Sequence, residues 1–114
     1  MEIELIQLNT THNELIEVIR ATGERLAQQR QATQRLKDLA PTKRQQLVQK
    51  LRPESRSVAQ AERKALLHED YLQLLEEILE ARQKLFQLKV QWEDAQMLYN
   101  ARKSLDSWHK AFLF

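Results

Sequence analysis

Residues 67–99 read LHEDYLQLLEEILEARQKLFQLKVQWEDAQMLY. Apolar and aromatic residues recur in this segment at alternating spacings of four and three, which is the period of an α-helix packed against another helix. The positions in register are Leu67, Tyr71, Leu74, Ile78, Ala81, Leu85, Leu88, Trp92, Ala95 and Tyr99. The pattern predicts a long helix with one continuous packing side. Further apolar residues, namely Leu72, Leu75, Leu79 and Phe86, widen that side, and this width favours a helical bundle over a two-stranded coiled coil.

The composition favours helix throughout the chain. The 114 residues include one Gly and two Pro, whereas the abundant residue types are those that lose least on entering a helix. With 42% hydrophobic and 30% charged residues, the sequence predicts a folded, soluble protein without a transmembrane segment. We therefore expect a single domain, residues 1–114, of all-α fold: a long-helix antiparallel hairpin or small helical bundle with coiled-coil character.

The first predicted helix covers about residues 11–39. Thr11 and Glu14 match a capping box, in which each side chain satisfies a backbone amide of the other residue. Positions from Leu15 onward again step by four and three. They are Leu15, Ile19, Thr22, Leu26, Gln29, Thr33, Leu36 and Ala40. Because three of these are polar, we expect loose packing along this helix.

Two prolines divide the rest of the chain. Pro41 is suited to the first position of a new helix, so a short helix is predicted at about 41–51. After Pro53, either Ser55 or Ser57 can cap a long helix over about 57–112, with a possible break near 68–70 at the polar residues before Tyr71.

The two long predicted helices differ about twofold in length. At 1.5 Å per residue, the segment 57–112 spans about 84 Å and the segment 11–39 about 44 Å. In a hairpin, the C-terminal half of the longer helix would lack a partner from its own chain, and apolar patches of that size are rarely left exposed. We therefore predict association with a second copy or with another protein. The predicted interface residues are Leu88, Trp92, Met97, Leu98, Leu105, Trp108 and Phe112.

Basic residues are concentrated in the middle of the chain. Residues 25–64 contain eleven basic and three acidic side chains, whereas the whole chain has a formal net charge of +2. At the turn of a hairpin, such a cluster could neutralise phosphates with little sequence preference. The predicted polyanion-binding residues are Arg35, Lys37, Lys43, Arg44, Lys50, Arg52 and Arg56. A nucleic-acid-binding subunit is therefore one alternative function; otherwise these side chains solvate the surface or pair with acidic residues in an assembly.

Few motifs point to catalysis or metal binding. The sequence has neither paired Glu-x-x-His motifs nor His-Glu-x-x-His, so we expect no metal and no cofactor. Arg102 and His109 are separated by six residues, and this spacing resembles the R-x4-6-H signature of the HEPN ribonucleases. The resemblance implies that Arg and His from two protomers converge on a scissile phosphate. The alternative is that His109 is a solvated residue beside a buried Trp108.

These patterns favour a binding protein over an enzyme. We expect a non-enzymatic interaction, assembly or regulatory subunit that acts through helix packing and oligomerisation. The acidic N-terminal residues differ from the basic start of a secretory signal, and the chain has no Cys. Both observations favour a cytoplasmic location.

Overall fold

The computed structural model describes residues 11–113, with side chains as far as Ala111. These residues form α1 (His12–Leu51), a short 3-10 helix (Arg52–Glu54), α2 (Val58–Leu66) and α3 (Glu69–Leu113). No strand occurs in the described part of the chain. The all-α prediction is therefore confirmed.

The chain forms two compact units, to which α1 and α3 both contribute. We call Gln29–Lys84 the central unit, and the remainder, up to Gln28 and from Leu85, the terminal unit.

In the terminal unit, the first part of α1 packs antiparallel to the second part of α3. The rings of His12 and Tyr99 lie 4.6 Å apart, centroid to centroid, and Gly23 lies against Trp92. The earlier α1 residue, His12, contacts the later α3 residue, Tyr99, and the later α1 residue, Gly23, contacts the earlier Trp92. The two segments therefore run in opposite directions. The buried residues of this unit are Leu15, Thr22, Leu26 and Ala95.

In the central unit, the second part of α1 packs against the first part of α3. The Thr33 hydroxyl lies 3.4 Å from the carbonyl oxygen of Ala81. The buried residues here are Thr33, Leu47, Ala61, Ala65, Leu74, Ile78 and Ala81. Small residues make up much of this core, which allows close approach of the helices but removes few large side chains from water.

The heptad predictions for both long helices are largely confirmed. All eight predicted positions of α1 are buried or half-buried, and so are the predicted positions of α3 from Tyr71 to Tyr99. Two of the polar members of the α1 pattern, Gln29 and Thr33, form hydrogen bonds. Thr33 donates a hydrogen bond of 2.8 Å to the Gln29 carbonyl, and the Gln29 amide donates one of 3.2 Å to the Ala81 carbonyl across to α3. Leu67 is 76% exposed, because it follows the last residue of α2 and precedes α3.

The helix starts depend on local side-chain caps. The Thr11 hydroxyl accepts from the Glu14 amide at 3.2 Å, and the Glu14 carboxylate accepts from the Thr11 amide at 3.3 Å, which confirms the capping box. Ser57 caps α2 by accepting from the Gln60 amide. At α3, the cap is His68, whose Nδ1 accepts from the Asp70 amide at 3.1 Å.

The predicted helix boundary at Pro41 is wrong. α1 continues through Pro41 to Leu51, although proline removes one helical hydrogen bond and crowds the carbonyl of Lys37. Ala40 and Leu47, on either side of Pro41, are half-buried and buried, and this packing offsets the local cost. Pro41 itself is exposed.

The predicted break near residues 68–70 is confirmed, because α2 ends at Leu66 and α3 begins at Glu69. α1 has 40 residues and α3 has 45, so their lengths are about 60 Å and 68 Å. The twofold mismatch expected from the sequence is therefore absent.

Candidate interaction surfaces

The C-terminal part of α3, in the terminal unit, has large apolar side chains on its surface. Met97 is 69% exposed, and Leu105 and Trp108 are each 65% exposed. Met97 and Trp108 are eleven residues apart, close to three helical turns, so they lie on the same side of α3. We call Met97, Leu105 and Trp108 the terminal apolar patch.

The remaining predicted interface residues differ from this patch. Leu88, Trp92 and Leu98 are half-buried within the chain, and Trp92 packs on the Gly23 backbone. The side chain of Phe112 lies outside the described residues. The expected burial of Trp108 is wrong for a single chain, since its side chain is largely exposed.

The exposure of Leu105 and Trp108 follows from where α1 begins. His12 is the first residue of α1, and it stacks on Tyr99. Every residue from Lys103 to Ala111 is exposed. The last turns of α3 therefore extend beyond the first residue of α1.

The central unit has a second exposed apolar surface on α3. Leu72, Leu75 and Leu79 are 44%, 41% and 57% exposed. We call them the central leucine stripe. Next to it, Leu75, Ile78 and Leu79 line a groove of about 380 Å³ together with Lys37, Ala40 and Arg82. The lining therefore combines four apolar residues with two cationic ones.

Two further grooves are more polar. In the terminal unit, one of about 400 Å³ is lined by Ile16, Ile19, Gln96, Tyr99 and Asn100. In the central unit, another of about 460 Å³ is lined by Arg44, Gln45, Val48, Gln49, Glu62 and Leu66. Neither combines a nucleophile with a neighbouring base, so neither has the arrangement of an acyl-transfer site.

The predicted polyanion-binding residues of α1 lie on more than one side of that helix. Lys43 and Lys50 are seven residues apart and share one side of α1, whereas Lys37 and Arg44 share another. Arg52 donates a hydrogen bond to the Ser55 carbonyl. Among the described residues, none of the seven predicted cations forms an ion pair.

Arg102 and His109 lie two turns apart on α3, separated by about 10 Å along its axis. Arg102 is half-buried and His109 is exposed. One chain therefore does not bring the two side chains together on a single phosphate group, and the resemblance to HEPN ribonucleases stays a prediction about two protomers.

The described residues contain no group of three or more His, Cys, Asp or Glu side chains placed to bind a metal ion. Within residues 11–113, no helix has a stretch both long and apolar enough to cross a lipid bilayer.

Sequence reasoning found the terminal apolar patch but missed the cationic edge of the central groove. A helical projection of α1 and α3 would have placed Lys37 and Arg82 on adjoining sides, but only with the antiparallel register known.

No family model, curated protein or solved structure matches the chain.

Proposed function

We propose that this protein is a non-enzymatic assembly subunit that self-associates through exposed apolar side chains of α3. The observation that carries the proposal is the exposure of Met97, Leu105 and Trp108 in the C-terminal part of that helix. Monomeric soluble proteins rarely keep contiguous apolar surface of this kind, and Trp and Met are enriched in the buried centres of protein interfaces.

The balance of free energies supports this surface. Complete burial of one such side chain contributes about 1.5–3 kcal/mol. In a twofold-symmetric dimer, each copy contributes the three side chains of the terminal apolar patch, so six side chains that are exposed in the single chain become buried. The summed free energy of their burial is comparable with the association cost of about 4–15 kcal/mol. The proposal therefore no longer depends on a difference in length between α1 and α3.

Light scattering on the intact chain tests the proposal. We expect a wild-type mass of at least twice 13.6 kDa at micromolar concentration, and a monomer for the variant Met97→Glu/Leu105→Glu. The matched control is Lys103→Gln/Lys110→Gln, which lowers the net charge by the same amount at exposed positions on the opposite side of the same helix and should remain associated. A wild-type mass near 13.6 kDa at all concentrations would contradict the proposal.

A second candidate function is polyanion binding through the basic segment. It is supported by the absence of ion pairs for Lys43, Arg44, Lys50 and Arg52 among the described residues. Their charges are therefore available to phosphate groups, and binding should weaken steeply as salt increases.

Retention on single-stranded RNA and on heparin at increasing salt tests this candidate. Replacing Lys43, Arg44, Lys50 and Arg52 by Gln should lower the salt at which the protein elutes. The control variant replaces an equal number of cations on α3 by Gln: Lys84, Lys89, Lys103 and Lys110. Equal elution of both variants would mean that any binding reflects total charge and not the basic segment.

A further inference from the structure

The central leucine stripe is a second apolar side of α3, distinct from the side that faces α1. Leu72, Leu75 and Leu79 are spaced by three and four residues, so they lie along one side of the helix. Leu74 and Ile78 point into the core and are 9% and 8% exposed. The stripe is therefore displaced by about a third of a turn from the buried side of α3.

One flank of the stripe is cationic. Lys37 of α1 and Arg82 of α3 line the groove beside Leu75 and Leu79. Arg44 lies seven residues after Lys37, so both lie on the same side of α1. Within the described residues, neither Lys37 nor Arg44 forms an ion pair.

The opposite flank is acidic. Glu69 and Glu76 are seven residues apart on α3, and both are exposed. At about 100° per residue, they project on the far side of the leucines from Ile78, and hence from α1. The surface therefore consists of three parallel rows, which are cationic, apolar and acidic in that order.

This order of rows is complementary to a second copy of itself in one orientation only. If two copies face each other across a twofold axis parallel to α3, the cationic row of each faces the acidic row of the other. If the axis is perpendicular to α3, cations face cations and carboxylates face carboxylates, and like charges in an interface are repulsive.

We propose that the central leucine stripe binds the same stripe of a second copy, with the two α3 helices parallel. The proposal rests on the self-association proposed above and adds its orientation and a second contact surface. An acidic helix from another protein would satisfy Lys37 and Arg44 but would leave Glu69 and Glu76 uncompensated. A second copy satisfies both flanks.

Cysteine cross-linking tests the orientation directly, because the chain has no Cys of its own. In a parallel pair each stripe residue lies opposite its own counterpart. Leu72→Cys and Leu79→Cys, prepared separately, should therefore each form disulfide-linked dimers when oxidised by oxygen with copper phenanthroline. Gln73→Cys, exposed on α3 but outside the stripe, is the control and should stay largely uncross-linked.

The results of cross-linking and light scattering together distinguish a failure of the parallel orientation from a failure of the proposed self-association. Dimers formed only when the Leu72→Cys and Leu79→Cys variants are mixed would mean an antiparallel pair and would overturn the inference. A dimeric mass by light scattering without any cross-link at either position would also overturn it, while leaving the proposed function intact. A monomeric mass would refute the proposed function itself.

Charge reversal provides an independent readout. Lys37→Glu/Arg44→Glu should weaken dimerisation at least tenfold, and Glu69→Lys/Glu76→Lys should have the same effect. The variant with all four substitutions should recover most of the affinity, because the two rows have exchanged signs and remain complementary. If the fourfold variant is the weakest of the three, the rows do not face each other and the parallel arrangement is wrong.

Discussion

Gly23 lies directly against the indole ring of Trp92. A Cβ atom at position 23 would lie 3.2 Å from Nε1 and 3.6 Å from Cδ1 of that ring. The backbone of Gly23 has no positive φ angle, so a left-handed conformation is not the reason for a glycine here. The contact instead explains why the chain's single Gly lies in the interior of a helix, where it costs about 1 kcal/mol relative to Ala.

The first prediction is that the effect of Gly23→Ala depends on Trp92. In the wild type, the gain in helix propensity and the crowding of the indole should nearly cancel, so that the free energy of unfolding changes by less than about 0.5 kcal/mol. In a Trp92→Leu background, the same substitution should stabilise the protein by about 0.8–1 kcal/mol. Urea unfolding of the four proteins gives the coupling, and equal effects in both backgrounds would contradict the contact.

The second prediction concerns the capping box at the start of α1. Thr11→Ala removes the acceptor of the Glu14 amide, and we expect a loss of about 1 kcal/mol in the free energy of unfolding. The loss should be accompanied by faster amide exchange in the first turn. Thr42→Ala, at an exposed position inside the same helix, is the control and should be neutral or slightly stabilising, because Ala is the better helix former.

The third prediction is a pH effect at Glu17. Hydrogen bonds from Arg20, followed by attraction between the opposite charges, lower the pKa of Glu17 from its ordinary value of 4.5. Because the folded-state pKa is the lower one, the pair stabilises the folded chain above about pH 4.5, and this contribution is lost as the pH falls through the folded-state pKa. The effect on stability is small, since both side chains are exposed.

Arg20→Gln should therefore raise the pKa of Glu17 towards 4.5, which NMR titration of its side-chain carbon can measure. Lys89→Gln, which removes a separate ion pair with Glu93, should leave Glu17 unchanged. An unaltered Glu17 titration in Arg20→Gln would show that the pair does not persist in solution.

The fourth prediction concerns the polar contact in the central unit. Thr33 is 1% exposed, and its hydroxyl donates to the Gln29 carbonyl at 2.8 Å. Thr33→Val preserves the volume but removes this donor, so it should destabilise the protein by about 1 kcal/mol. Thr33→Ser should cost less, because the hydroxyl remains. Thr42→Val, at an exposed position, measures the intrinsic effect of the change, and a loss as large there would mean that the buried hydrogen bonds contribute nothing.

Periodicity and caps predicted much of this fold because both are local properties. Thr11 and Glu14 satisfy each other's amides whatever the remainder of the chain does, and an apolar residue every three or four positions forms one side of any helix. The heptad spacing from Leu15 onward can therefore be recognised in the sequence without knowledge of the partner helix.

The surfaces were less predictable, because they depend on which of two adjacent apolar residues faces the neighbouring helix. Met97 and Leu98 are consecutive and similar in hydrophobicity, yet Met97 is 69% exposed and Leu98 is half-buried. The register between α1 and α3 decides this, and a sequence gives it only through long-range contacts. Pro41 is a second instance, since its local cost is outweighed by contacts of residues on either side.

The last prediction follows from Pro41. Because α1 continues through this residue, Pro41→Ala restores a backbone amide that can donate to the Lys37 carbonyl and removes the crowding of the proline ring. The intrinsic gain is about 3 kcal/mol, from which the greater freedom of the unfolded chain subtracts about 1 kcal/mol. We therefore expect a net stabilisation of about 2 kcal/mol by urea unfolding. Pro53 lies at the start of the 3-10 helix, where an amide donor is not needed, so Pro53→Ala should be neutral or slightly destabilising. If Pro41→Ala destabilised the protein as Pro53→Ala does, α1 would have to end before Pro41 in solution, as the sequence alone suggested.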